Sequence, residues 1–218
     1  QIARINAAGK MIDGKMNYPR MYGDDGWYNF TPSPYNSNAM EIYYLSMKAE
    51  DAQRVAGDGW LSYLAGGNQG FPLDALRSDL ERVRSRVEGM RKDTTTPDTR
   101  LADDPMKYNP ASVTSLIQLM LGGIHPGHRG SVLHCRLRFF DHIQRRAGVP
   151  EDVAVLVDSL DGTSCAFTLV NTSQTQAREV TIQAGGYAEH KFTKVRVTGE
   201  DHGVEADSFR VRLEPGTG

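Results

Sequence analysis

Between residues 73 and 90, apolar side chains recur at Leu73, Leu76, Leu80, Val83, Val87 and Met90, while Arg, Asp and Glu fill most of the positions between them. Steps of three and four keep these side chains on one face of a helix, so Leu76, Leu80, Val83 and Val87 are expected to face a core. Upstream, Ser37 or Asn38 can cap a helix carrying Ile42, Tyr43, Leu45, Ala49, Ala52 and Val55, which Gly57 and Gly59 would end. Trp60, Leu61, Tyr63 and Leu64 form a short apolar turn before Gly66-Gly67. Downstream, Asn109 as cap and Pro110 at the first position predict a short helix with Val113, Leu116, Ile117, Met120 and Leu121 on one face, stopped by Gly122-Gly123.

The period then changes. Leu133, Cys135, Leu137 and Phe139 alternate with His134, Arg136 and Arg138, the two-residue repeat of a half-buried strand. From residue 153 onward the pattern reads as strands only, over 153–157, 165–171, 178–184, 191–198 and 208–213, separated by Asp-Gly, Asn-Thr-Ser and Gly-Gly turns. Residues 1–37 carry many aromatics, but Gly9, Gly14, Gly23, Gly26, Pro19, Pro32 and Pro34 punctuate them too often for a long element, and they read as irregular. The expected fold class is α+β, with a mainly helical N-terminal region over 1–150 that includes this irregular aromatic-rich segment. An antiparallel β-sandwich follows over 151–218.

Composition narrows the function classes. With 25 basic and 27 acidic residues and a formal net charge of −2, no global field draws the chain to nucleic acid or to an anionic membrane. No run approaches the ~20 apolar residues of a membrane-spanning helix. Neither nucleic acid nor membrane is therefore an expected partner. Cys135 and Cys165 are the only cysteines; they make no disulfide framework and are expected to be reduced. The chain starts in a polar, Gly-rich stretch and stops at Pro215-Gly216-Thr217-Gly218 just after a strand-like run. It is expected to belong to a longer polypeptide, with the sandwich incomplete at its C-terminus.

The run Phe167-Thr168-Leu169-Val170-Asn171-Thr172-Ser173, followed by Arg178-Glu179-Val180-Thr181-Ile182, resembles the strand, Asn-Thr turn, strand hairpin of accessory β-sandwiches that close many secreted glycosidases. The ending Phe209-Arg210-Val211-Arg212-Leu213-Glu214-Pro215-Gly216 is similar to their last core strand and Pro-Gly turn. With helices in front, this resembles the C-terminal portion of a carbohydrate-active enzyme in which an α/α toroid precedes a β-sandwich. The likeness is architectural and covers about a third of the chain. It implies a glycoside hydrolase or polysaccharide lyase, secreted or periplasmic, and transfers no catalytic residue.

Candidate chemistry concentrates in Tyr22-Gly23-Asp24-Asp25-Gly26-Trp27-Tyr28-Asn29-Phe30, with Tyr35 beyond. Carboxylates close to aromatics suit a sugar site: ring faces stack on Trp or Tyr while carboxyl groups supply acid, base or nucleophile. Asp24 and Asp25 are the catalytic candidates, and Trp27, Tyr28 and Tyr35 the substrate-binding ones. The competing reading is an Asp-Gly turn whose aromatics pack on the helices. Tyr187, Glu189 and His190, beside Gly185-Gly186, are candidates for a domain interface, with proton transfer by the Glu-His pair as the alternative. His125 and His128 flank a turn with no third ligand at regular spacing, so they read as turn surface and no metal is expected. Asp103 and Asp104 suit helix capping better than calcium. No phosphate loop, nucleophile elbow or zinc-protease helix occurs, and no cofactor is expected. The expected partners are carbohydrate and the rest of a longer polypeptide or a partner subunit. The rival to the enzyme is a non-catalytic structural or binding subunit that uses the β-sandwich for protein contacts in an assembly.

Overall fold

The computed structural model describes residues 1–96, 109–111, 113–126 and 132–218. The chain is α+β, with helices and antiparallel sheets interspersed, and it divides into two compact units, Gln1–Ala56 and Gly57–Gly218. The loop carrying Asp103 and Asp104, and His128, lie outside the described residues.

The first unit corrects the reading of residues 1–37 as irregular. A short helix α1 (Ile2–Ala7) leads into a three-stranded antiparallel sheet, β1 (Lys10–Ile12), β2 (Lys15–Gly23) and β3 (Gly26–Thr31), in the order β1-β2-β3. The supposed breakers are parts of it. Asp13 and Gly14, both at positive φ, make the β1–β2 turn. Pro19 sits within β2, but β1 pairs only as far as Asn17, so at Pro19 the strand has a partner on one side only, and a residue without an N–H is tolerated. The front of the chain is thus not mainly helical, and its first helix is short. The single helix expected over 42–55 is broken: α2 (Ala39–Ser46) ends at Met47, which adopts the left-handed conformation, and α3 (Ala49–Ala52) and a 3-10 turn follow. Buried Asp51 joins the pieces, accepting hydrogen bonds from Ser46 Oγ and the Arg54 guanidinium.

The second unit begins with α4 (Gly59–Leu64), whose Asp58 cap accepts a hydrogen bond from Leu61 N at 3.1 Å. α5 (Phe71–Lys92) and α6 (Thr114–Leu121) follow, the latter ended by left-handed Gly122 as the sequence suggests. α6 starts later than expected: the Asn109 side chain accepts from Ala111 N and does not cap the helix. The expected strand around 133–139 is regular only from Leu137, while His134 makes an isolated bridge to Ile124. The two segments cross so closely that a Cβ on Gly123 would lie 2.6 Å from His134 O.

Eight strands complete this unit: β4 (Leu137–Asp141), β5 (Arg146–Ala147), β6 (Val153–Leu160), β7 (Cys165–Asn171), β8 (Arg178–Ala184), β9 (Phe192–Val197), β10 (Glu200–Ala206) and β11 (Ser208–Leu213). They form a four-stranded sheet, β11-β8-β4-β5, and two antiparallel pairs, β6-β7 and β9-β10. Leu137, Phe139, Val180 and Ile182 from the four-stranded sheet meet Val153, Val157 and Leu169 from the β6-β7 pair. Trp60 and Tyr63 of α4 and Leu119 of α6 enter the same core. The expected division at 150/151 therefore falls inside this unit, because helices and strands share one apolar interior.

The inward-facing expectation for α5 is corrected. Its contacts within the unit are made by Phe71, whose ring lies against Trp60 and Tyr63, by Ala75 and Asp79, which bond Ser115, and by Arg86, which donates to Asn109 O at 2.7 Å. Leu76 and Leu80 are 42% and 49% exposed, Leu73 and Met90 are exposed as well, and Val83 and Val87 are half-buried. Periodicity establishes that a helix has an apolar stripe. It does not say what lies against it.

Two stability differences follow. Ile182→Ala, at a position with no exposure, should cost about 2 to 5 kcal/mol in urea unfolding, whereas Leu80→Ala should cost less than about 1 kcal/mol. Equal losses would mean that the α5 stripe is covered. Asn171→Ala should cost about 1 to 3 kcal/mol, because it removes a buried amide that bonds the carbonyls of Gln176, Leu213 and Glu214; a change under about 0.5 kcal/mol would show those bonds to be dispensable.

Candidate functional site

In the β2–β3 hairpin, Asp24 and Asp25 are the two residues of the turn, between paired Gly23 and Gly26, and both are exposed. Alternation along the strands then sorts the side chains. Tyr22 pairs with Trp27 and Tyr18 with Thr31, so Met16, Tyr18, Arg20, Tyr22, Trp27 and Thr31 share one face, joined by Met11 opposite Met16. Tyr28, paired with Met21, stands on the other face with Pro19 and Phe30, where Lys10 Nζ lies 4.0 Å from the Phe30 ring centre.

On the first face, Tyr22 and Trp27 meet edge to face, with centroids 4.8 Å apart and planes at 72°. They are 69% and 37% exposed. Below them Arg20 is fixed by Nε to Thr31 Oγ1 at 2.7 Å and by Nη2 to Ser33 O at 2.8 Å, and its guanidinium faces the Tyr35 ring at 5.9 Å. Tyr35 is held in turn by Asn6, whose amide donates to Tyr35 O at 2.9 Å and accepts from Tyr35 N at 2.7 Å.

The hairpin therefore brings Trp27 and Tyr35 to one face, sends Tyr28 to the other and leaves Asp24 and Asp25 at the tip. Sequence reasoning missed Arg20, Met11 and Met16. The signal is present, since Met16, Tyr18, Arg20 and Tyr22 keep strict two-residue spacing, but the glycines around them read as breakers.

The loop of 185–190 is built around Glu189. Its carboxylate accepts from Tyr187 N at 2.7 Å and Gly186 N at 3.2 Å, while Arg138 Nη1 donates to Gly186 O at 2.8 Å. A Cβ on Gly185, at φ 84°, would lie 2.4 Å from that carboxylate. Burial works to raise the Glu189 pKa, but the backbone N–H groups of 186, 187 and 189 and the nearby His190 outweigh it and hold the carboxyl below its usual value. Glu189 thus folds its own loop, leaving Tyr187 and His190 exposed.

A cavity of about 180 Å³ lies between α4, α5 and α6, lined by Asp58, Trp60, Phe71, Asp79 and Arg82 among others. Asp58 caps α4, and Asp79 accepts from Ser115 N at 3.2 Å, so one carboxylate ends a helix and the other ties α5 to α6. Cys135 and Cys165 are free thiols, and burial pushes their pKa up to about 11 and about 12. Among the described residues, no group of three His, Cys, Asp or Glu side chains could hold a metal ion, and no helix is long and apolar enough to cross a membrane.

Because the folded-state pKa of Glu189 is depressed, its stabilising contribution is complete above the ordinary value of 4.5 and is lost as pH falls through the lower folded value. Glu189→Gln should lower the thermal midpoint at pH 7, and the gap to the parent protein should close as the pH drops below 4.5. A gap independent of pH would mean that the charge is not what holds the loop.

No protein-family model matches the chain, and neither the curated proteins nor the solved structures contain a match to it.

Proposed function

We propose that the chain is part of a carbohydrate-processing enzyme of glycoside hydrolase or polysaccharide lyase type, and that its hairpin contacts sugar without carrying out the chemistry. The observation behind this reading is the exposed Tyr22–Trp27 pair beside two turn carboxylates. Aromatic faces receive the C–H face of a pyranose ring, and Asp24 and Asp25 at the tip can accept hydrogen bonds from ring hydroxyls.

Catalysis asks for something else. In a glycoside hydrolase two carboxyl groups flank the scissile bond, separated by about 5 to 10 Å. Adjacent turn residues at an exposed tip are poorly suited to that, which favours a binding role for Asp24 and Asp25. In this reading the β half of the second unit is the accessory sandwich, Tyr187 and His190 lean on the remainder of the enzyme, and the protein works outside the cytoplasm, secreted or periplasmic. The rival reading, a non-catalytic assembly subunit that uses the sandwich for protein contacts, draws on a separate observation: exposed Met11 and Met16 lie on the same sheet face as the aromatic pair, towards its other end, and methionine suits adaptable protein contacts.

Calorimetric titration against neutral and uronate-containing oligosaccharides separates the two. Binding should appear for at least one glycan class, and Trp27→Ala should weaken it by about ten-fold, equivalent to 1.4 kcal/mol, with the melting temperature held. Asp24→Asn and Asp25→Asn should weaken it by only a few-fold. A panel with no binding, or binding that ignores Trp27→Ala, would remove the sugar role and leave protein contact.

A further inference from the structure

Among the described residues of the second unit, the α5 stripe leaves Leu73, Leu76, Leu80 and Met90 exposed and Val83 and Val87 half-buried. Leu73, Leu80 and Val87 alternate with Leu76, Val83 and Met90 at a strict three-four spacing over most of a 22-residue helix. That is the repeat of a helix-pairing seam, not the broader stripe of a helix lying on a globular core. The helix meets its own unit through another side altogether, through Phe71, Ala75, Asp79 and Arg86. The seam is not needed for that packing, and a run of exposed leucines this regular marks a contact surface.

The charges beside the seam define what fits it. Arg77, Arg84 and Arg91 each follow directly after a seam residue and recur every seven positions, so they form a basic row about 10 Å apart next to the seam, while Asp74, Glu81 and Glu88 form an acidic row one step further out, with Arg77 Nη1 3.9 Å from Asp74. The opposite edge is occupied within the unit, since Asp79 binds Ser115 N and Arg86 binds Asn109 O. A partner helix would therefore meet the arginine row as its charged flank. A second copy of this helix suits the seam badly: packed antiparallel it sets arginine row against arginine row, and packed parallel it sets the row against Asp79 and Arg86, which are already engaged.

We infer that the α5 seam is a docking site for an acidic amphipathic helix of another polypeptide, one with apolar residues at three-four spacing and Glu or Asp along the edge that meets Arg77, Arg84 and Arg91. This inference is independent of the sugar reading, because it concerns the other unit and a different class of ligand.

The test uses the whole chain and two fluorescent peptides of about 22 residues, the length of α5, each with Leu at the seam positions and with either Glu or Lys at the flanking ones. Fluorescence anisotropy should show the Glu peptide binding at least about ten-fold more tightly than the Lys peptide, with the preference shrinking as NaCl rises from about 50 to about 300 mM. The pair Leu76→Ser and Leu80→Ser should abolish binding while leaving the melting temperature in place, as expected for exposed positions. Arg84→Glu with Arg91→Glu should reverse the preference towards the Lys peptide. Three results would overturn the inference: no binding of either peptide, equal binding of both, or sedimentation showing a dimer that the two serine substitutions dissolve, which would make the occupant a second copy of the chain.

Discussion

A single buried amide governs how the β half closes. Asn171, at the end of β7, has no solvent exposure, and an amide out of water must find partners inside. Its Nδ2 donates to Gln176 O at 2.8 Å, to Glu214 O at 3.1 Å and to Leu213 O at 3.3 Å, while Oδ1 accepts from Ser173 N at 3.1 Å. Its own backbone N–H reaches Thr217 O at 2.7 Å. One residue thus fastens the end of β7, the turn into β8 and the exit of β11. The pairing of Leu213 with Arg178 starts beside this node, and the alignment of β11 on β8 then runs without a slip to Ser208 opposite Gln183. With that register set, Val180 and Ile182 turn inward to Phe139 and Val157.

Carboxylates play a related part in the turns. Asp161 accepts from the N–H groups of Thr163 and Ser164, each at 2.7 Å, and these bonds together with the hydroxyls of the same residues lower its pKa to about 2. Buried Asp141 accepts from Ile143 N and Gln144 N, and Glu189 does the same for 186 and 187. In each case an acidic side chain takes the N–H groups that a tight bend leaves without a strand partner. These acids are bound up in chain reversal, and their lone pairs are committed to the backbone.

The strands β6, β7, β8 and β11 were legible in the sequence because alternation and turn residues agree there. The Asn171-Thr172-Ser173 turn was equally visible, although its reach to residues 213–217 was not, since that contact spans more than forty residues. The existence of α5 was readable from its spacing, while its exposure was not, because spacing carries no information about neighbours. The β1–β3 sheet was lost when turn glycines and Pro19 were counted as breakers, although they mark where strands end or lack a partner. β10 was lost for the opposite reason: Glu200–Ala206 opens on three consecutive polar residues and a glycine, so no alternation reveals it, and pairing with β9 defines it. At the hairpin the aromatic residues could be named in advance, but the division of Trp27 from Tyr28 across two faces required the register.

Among the described residues the β9-β10 ribbon has no third strand, so each of its strands offers an edge. Its charges act as gatekeepers. Lys194 and Arg196 on β9 converge on Asp201 of β10, at 3.0 and 2.5 Å, and Glu200 and His202 add further polarity along the exposed border. A strand approaching that border would have to strip water from several ionised groups before forming its first ladder bond. Charges placed this way oppose edge-to-edge pairing, so a strand that contributes little to the core contributes instead to keeping copies of the chain apart.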